Sequence, residues 1–204
     1  RRVLYACNIT DSLDDMLRHH DAVLERGGNC IMINLNAVGL AAAQKVAEHS
    51  QLPIHAHRAG WGALTRHPGL GYSYVAWQKF WRMAGMDQMH VNGIRNKFCE
   101  SDDSVIASAA ACLGPLLDCE PSMPVFSSGQ WAEQAFDTYR RLGSVDLMYV
   151  CGGGIIGHPG GIEAGVQSIR QAWQAALDGL GPAEARAKFI ELNQAFEYFD
   201  GERQ

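Results

Sequence analysis

Short apolar runs alternate with longer amphipathic segments from one end of the chain to the other. Val3 to Cys7 is β-rich, and Asp11-Ser12-Leu13-Asp14 then carries the polar cap and acidic first turn that open a helix. Leu13, Met16, Leu17, His20, Val23 and Leu24 recur on one face of that helix until Gly27-Gly28 ends it. Cys30 to Leu35 is almost wholly apolar, as a strand covered on both faces should be, and Leu40 to His49 is helical by composition. Leu52 to Arg58 predicts a third strand with a polar end, followed by a Gly-rich loop and a helix from about Tyr74 to Ala84. Asp87 to Val91 is a fourth strand, Asn92 to Lys97 a polar loop, and a helix lies around Val105 to Leu113. Met123 to Phe126 is the fifth strand, with a helix from about Trp131 to Leu142, and Val145 to Val150 is the sixth. A further helix is expected from about Glu163 to Leu177, and Pro182 to Phe199 reads as one or two terminal helices.

Six β-then-α units imply a parallel sheet wrapped in helices. A doubly wound open sheet accommodates six strands, whereas a (β/α)8 barrel needs eight. The polar residues favour the barrel, because they sit at the C-terminal ends of the strands. They are Asn8, then Asn34 and Asn36, His57 and Arg58, His90, Ser127 and Ser128, and finally the turn at Gly152. A barrel gathers those ends on one mouth, where its active site lies and where the loops after the last two strands hold phosphate. Two units would then be missing ahead of Val3. The opening Arg1-Arg2-Val3-Leu4-Tyr5 runs straight into a strand pattern, as a chain that begins mid-domain would, and residues 1–204 read as part of one barrel domain.

The 204 residues, 47% of them hydrophobic and 19% charged, have the composition of a globular chain large enough to bury a core. A net charge of −5 without long single-sign runs offers no basic footprint for nucleic acid and no cationic face for a membrane. No apolar run approaches the roughly 20 residues of a membrane span, and no signal peptide opens the chain, so a cytoplasmic protein is expected. The six cysteines lack a C-x-x-C pair and are expected to be reduced, Cys151 packing as a small hydrophobe rather than acting as a nucleophile.

Gly152-Gly153-Gly154 follows the last strand and precedes a helix. Residues without a Cβ let several backbone N–H groups approach one anion, so the stretch is either a phosphate cradle or a plain tight turn. His55-Ala56-His57 places two imidazoles on one face of a strand, suited to a metal, to acid–base work or to a neighbouring carbonyl. Arg58 beside them has the planar fork that suits phosphate. His90 closes a strand ahead of a loop carrying Arg95 and Lys97, and Ser127-Ser128-Gly129 offers hydroxyl and backbone donors after the next. These too have bland readings, a solvated lysine and helix-capping serines.

Together, His55-Ala56-His57-Arg58-Ala59, His90 with Lys97 seven residues on, Pro124-Val125-Phe126-Ser127-Ser128-Gly129 and Gly152-Gly153-Gly154-Ile155-Ile156-Gly157-His158-Pro159 resemble the large subunit of ribulose bisphosphate carboxylase (RuBisCO) in order and spacing. The resemblance implies a (β/α)8 TIM barrel of which this chain holds units three to eight, without the first two units or the N-terminal domain. It implies that His57, His90 and Lys97 are catalytic, and that Arg58, His90, Ser127, Gly129, Gly152 and Gly153 bind substrate phosphate. It also implies Mg2+ on a carbamylated lysine, an aspartate and a glutamate lying upstream, with no metal ligand in this chain, and a homodimer or higher homo-oligomer. Three departures narrow it further: the Val91 to Lys97 loop is poorer in small residues than a carboxylase's, Ser128 replaces a glycine, and Ile162-Glu163 stands in place of an asparagine. These changes resemble a RuBisCO-like protein. His57-Arg58-Ala59-Gly60-Trp61 and His90-Val91-Asn92-Gly93 are most similar to the branch acting on 3-oxo-isoapionate 4-phosphate. The expected function is decarboxylation of that keto sugar-acid phosphate through a Mg-stabilised enediolate, the chain alone being inactive. The rivals are 2,3-diketo-5-methylthiopentyl-1-phosphate enolase, ribulose bisphosphate carboxylase, an unrelated hydrolase binding zinc through His55 and His57, and an incomplete barrel that only binds.

Overall fold

Every β-then-α unit expected from the hydropathy pattern is present in the computed structural model, which describes residues 3–67 and 69–201; Arg1 and Arg2 lie outside the described residues. The strands β1 (Ala6–Asn8), β2 (Cys30–Asn34), β3 (Ile54–His57), β4 (Gln88–Asn92), β5 (Met123–Phe126) and β6 (Met148–Tyr149) form one sheet in the order β1-β2-β3-β4-β5-β6. Pairing is parallel from β1 through β4, with Ala6 opposite Cys30, Ile31 opposite Ile54 and His55 opposite Gln88. Sequence order in a parallel sheet requires a crossover between each pair, and helices supply it. The helices are α1 (Leu13–Glu25), α2 (Leu35–Val38), α3 (Leu40–His49), α4 (Gly62–Thr65), α5 (Tyr74–Met83), α6 (Asp102–Leu113) and α7 (Ala132–Leu142) between the strands, and α8 (Gly152–Ile156), α9 (Gly161–Leu177), α10 (Pro182–Lys188) and α11 (Ile190–Gly201) after the last. Among the described residues no helix is long and apolar enough to cross a membrane. All six cysteines are free thiols.

The backbone divides into two compact units, one running to His90 and including Ala107–Val125, the other made of Val91–Ile106 and the chain from Phe126 onward. In the first, Ile31, Ile33, Ile54, Ala56 and Met89 are buried strand residues, and Met16, Ala43, Val46, Trp77 and Trp81 are buried from the helices. The Ser12 hydroxyl caps α1 by accepting from the Asp15 N–H, with Asp14 and Asp15 at the positive end of the helix. Arg82, at the end of α5, is buried and donates to four carbonyls of the last turn of α6 and the segment after it: Nε to Glu120 at 2.8 Å, Nη1 to Ala111 and Gly114 at 3.0 and 2.6 Å, and Nη2 to Cys119 at 3.0 Å. One guanidinium thus satisfies several backbone acceptors at once.

In the second unit, α7, α9 and α11 meet through small side chains. Ala132, Ala135, Ala172, Ala175 and Ala195 are buried there around Trp131, Ile169, Leu192 and Phe196. The lack of bulk lets the helices approach closely, and the Trp131 ring sits edge-on to Phe196 at 5.1 Å.

Two elements differ from the hydropathy reading. The sixth strand shrinks to Met148–Tyr149 because Val145 and Val150 are exposed and the Ser144 hydroxyl holds the Asp146 N–H in a turn. Gly152 to Gly154, expected as a turn before a helix start, is itself the first part of α8. Helical glycine is unfavourable by propensity, but a Cβ on Gly154 would lie 2.6 Å from the Trp131 Cβ and 2.8 Å from the Gln130 carbonyl. Packing therefore selects glycine there.

Replacing Arg82 by alanine takes the donor from four carbonyls, and a loss of about 2–3 kcal/mol in urea denaturation is expected. Arg82→Lys restores only part of it, since an ammonium lacks the planar fork. Gly154→Ala should cost about 1–3 kcal/mol, whereas Gly153→Ala, whose Cβ meets nothing within 4 Å, should change stability little.

Candidate active site

The parallel register of β3 with β4 builds a cluster of three histidines in the first unit. Side chains alternate along a strand, so His55 and His57 share a face, and the register sets Gln88 and His90 beside them. The His55 ring lies 4.8 Å from that of His90, and the His57 ring 4.6 Å from it. His55 Nδ1 is 2.9 Å from Gln88 Oε1, and its Nε2 is 2.7 Å from His90 Nε2. With the amide oxygen accepting, His55 carries its proton on Nδ1, so its Nε2 accepts from the His90 Nε2–H. Both rings are neutral in this chain of donors.

The electrostatics agree. Burial, then the charges of His55, His57 and Arg58, push the His90 pKa down to about 3, and burial lowers that of His55 despite its bond to Gln88. His57 is lowered by burial first and then by His55 and Arg58. Its Nδ1 accepts from the Ala59 N–H at 3.1 Å, which places the His57 proton on Nε2. His57 is therefore arranged to donate a hydrogen bond through Nε2 rather than to take up a proton. Arg58, one residue past β3, is buried with its guanidinium 3.9 Å from the centre of the Tyr74 ring and 5.7 Å from that of Trp61. The Tyr74 hydroxyl donates to the His90 carbonyl. Stacking holds the arginine in place at the strand end and leaves its charge intact.

The remaining expected residues belong to the second unit. Lys97 is exposed, and its backbone N–H donates to the Ser128 carbonyl at 3.1 Å. The Ser127 N–H donates to the Asn92 carbonyl at 2.9 Å, and Gly129 lies against Lys97, a Cβ there being 3.7 Å from the Lys97 Cβ. Gly152 and Gly153 open α8 and are exposed, with nothing within 4 Å of a Cβ on either, so their N–H groups are approachable as a phosphate cradle requires. Cys151, the residue before them, is buried, and burial pushes its thiol up to about 11, in keeping with a packing role. Structure thus groups His57, Arg58 and His90 in one unit, and links Lys97 to Ser127–Gly129 in the other.

Sequence reasoning missed four participants. Gln88, two residues before His90 on the same strand, was signalled by the same period of two that marked His55 and His57. Tyr74 had no such signal, because its hydroxyl reaches the site from a helix N-terminus. Asn92 was read only as a loop residue and as part of the branch resemblance, and Glu100 was not singled out, yet the Asn92 side chain donates to Glu100 Oε2 at 2.6 Å.

Among the described residues the zinc reading finds no set of three ligands at His55 and His57, and both His55 nitrogens are hydrogen-bonded. Among the described residues three possible ligand atoms converge elsewhere, at His20, Asp21 and His49. His20 Nδ1 and His49 Nε2 lie 2.9 and 2.7 Å from Asp21 Oδ1, while the Gln51 N–H donates to His20 Nε2 at 3.2 Å. That last bond puts the His20 proton on Nδ1, toward the carboxylate. A cation there would have to displace it and set two N–H groups against each other. The trio is a hydrogen-bonded staple between α1 and α3.

The three cluster histidines give stability a pH dependence. An unfolded chain protonates them near 6.5, whereas folded His90 resists protonation until about 3. Their contribution is complete above 6.5 and is lost as pH falls toward 3, so denaturation midpoints should drop on acidification through that window. His90→Gln should make the drop shallower.

The model of the ribulose bisphosphate carboxylase large chain, catalytic domain, matches residues 1–199. A 3-oxo-isoapionate-4-phosphate transcarboxylase/hydrolase of Xanthobacter autotrophicus is 49% identical over 201 residues, 98% of this chain and 49% of that protein. A 3-oxo-isoapionate-4-phosphate decarboxylase of Rhizobium etli is 47% identical over 191 residues, 92% of this chain and 46% of that one. A crystal structure of a RuBisCO-like protein from Burkholderia fungorum superposes with a TM-score of 0.93 at 44% identity, covering 97% of this chain and 50% of the other. This chain spans about half the length of the relatives it matches. Its six strands and their helices are part of a RuBisCO-type barrel, and the chain belongs to the ribulose bisphosphate carboxylase large-chain family, among its RuBisCO-like proteins.

Proposed function

We propose that the protein carrying this chain decarboxylates a phosphorylated keto sugar acid, 3-oxo-isoapionate 4-phosphate, as a RuBisCO-like carboxy-lyase. The observation that carries the reading is the neutral, ordered histidine cluster beside Arg58, at the end of the strand where this barrel type holds its chemistry. Identity of 47–49% to relatives named for that substrate supports the choice of molecule.

Loss of carboxylate from a 3-keto acid leaves the bonding electrons on the α-carbon and the carbonyl oxygen as an enediolate. Charge grows on that oxygen, so what lowers the barrier is a donor already aimed at it. His57 Nε2–H is such a donor, its proton fixed by the Ala59 N–H and its charge suppressed by burial. Arg58 supplies a permanent cation for an anionic group of the substrate. Gly152, Gly153, Ser127 and Gly129 offer N–H and hydroxyl donors for a phosphate, and Lys97 a mobile cation. His90, its pKa lowered to about 3 and its ring therefore neutral near pH 7, serves as a hydrogen-bonding contact rather than as a charge.

Mg2+, which the family resemblance implies, prefers a set of oxygen ligands. The chemistry it would supply is stabilisation of the enediolate. The histidine cluster and Arg58 provide no such oxygen set.

Full-length protein given Mg2+, bicarbonate and 3-oxo-isoapionate 4-phosphate should release CO2, with kcat falling on the order of a hundredfold in His57→Ala. Enolisation of 2,3-diketo-5-methylthiopentyl 1-phosphate without CO2 release from the keto acid would overturn the assignment.

A further inference from the structure

Three residues without the freedom of glycine adopt left-handed backbone in this part of the second unit, Arg95 at φ 47° and the bonded pair Asn92 at φ 63° and Ser128 at φ 71°. Such conformations cost energy and persist only when their surroundings over-determine them. For the pair the determinant is visible: the Ser128 hydroxyl donates to Asn92 Oδ1 at 2.8 Å, so these two strained residues hold each other. Asn92 is buried, and its other amide atom donates to Glu100 Oε2, while Glu100 Oε1 accepts from the Ser104 hydroxyl of α6 at 2.8 Å. One side chain thereby ties the beginning of the Lys97 loop to its end and to the following loop.

Backbone and side-chain bonds close the same ring. The Ser127 N–H reaches the Asn92 carbonyl and the Lys97 N–H reaches the Ser128 carbonyl. Asn96 Nδ2 donates to the carbonyls of Gly93 and Glu100, each at 3.0 Å. Gly93 has no space for a side chain, because a Cβ there would run into the Gln130 amide, which itself donates to the Ile94 carbonyl at 3.0 Å. From outside, Arg95 is gripped by Glu133 and Asp137 of α7.

We infer that Asn92 and Ser128 are positioning residues, a latch that docks the Lys97 loop on the Ser127–Gly129 loop and holds the Lys97 backbone there before substrate arrives. The placing of Lys97 toward a reaction rests on the function proposed above; the latch itself does not. Asn92 suits the task because asparagine tolerates left-handed backbone and offers a donor and an acceptor at once.

Glycine tolerates both φ values, so Asn92→Gly and Ser128→Gly remove the latch without backbone strain. In ligand-free full-length protein, amide hydrogen exchange at 94–98 should quicken by about tenfold in either variant, the equivalent of one lost hydrogen bond. The double variant should exchange no faster than Asn92→Gly alone, because Ser128 acts through Asn92. Asn92→Asp sets two carboxylates against each other and should also free the loop. Adding Glu100→Gln, which restores a donor opposite the new acceptor, should return exchange to the original rate. On the keto-acid phosphate, kcat should fall about tenfold in Asn92→Gly with KM nearly unchanged, and recover in Asn92→Asp/Glu100→Gln.

Unchanged exchange at 94–98 in both glycine variants, or additive effects in the double variant, would overturn the latch. If the unsubstituted protein releases no CO2, the proposed reaction fails while exchange and rescue still decide the latch. If CO2 is released and exchange does not respond, the latch fails and the reaction stands.

Discussion

The pairing of β3 with β4, with His55 set opposite Gln88, is the constraint from which the chemistry of the first unit follows. Parallel strands in register repeat their side-chain faces together, so one such pairing brings His55, His57, Gln88 and His90 to a common face without any loop having to deliver them. A slip of one residue would turn His55 and His57 to the opposite side. Once assembled, the group is self-consistent. Burial suppresses the charge on each ring, and the bonds from Gln88 and the Ala59 N–H decide which nitrogen carries the proton. The result is a set of hydrogen-bond donors with little charge, beside an arginine whose charge is permanent. That division suits a reaction in which negative charge appears on an oxygen and must be met without a proton being given away early.

The second unit solves a different problem. Its loops carry hydroxyl and N–H donors and a lysine, and loops lack the ladder that orders strands. Here, order comes from side chains that bond to backbone, from glycines where no side chain fits, and from two left-handed residues that stabilise each other. Gly154 serves the same end in α8, since its contact with Trp131 and Gln130 anchors a helix start whose first two glycines face solvent. Packing thus requires one glycine of the short stretch, Gly154, and leaves Gly152 and Gly153 open to solvent.

How much of this was legible in the sequence follows from which physical rule governs each part. Strands covered on both faces announce themselves as apolar runs, so β2 and β5 were readable almost to the residue, as were α3 and α9, whose faces repeat at helical spacing. β6 was overestimated because Val145 and Val150 are apolar but exposed, and hydropathy does not distinguish the two. His57, Arg58 and His90 stood out because polar residues at the ends of apolar strands need a reason to be there. Asn92, Glu100 and Tyr74 did not, since their partners lie in loops or at a helix start and no periodicity links them. Ser128 was visible only as the replacement of a glycine; that it keeps the glycine's backbone angle, and bonds to Asn92, required coordinates.

The central claim is that the cluster is neutral with its protons ordered, and imidazole nitrogen resonances followed by NMR against pH test it most directly. The account predicts that His57 carries its proton on Nε2 at neutral pH and that His90 stays neutral down to about 3. A His90 that becomes cationic near its ordinary value of 6.5, or a His57 protonated on Nδ1, would contradict it.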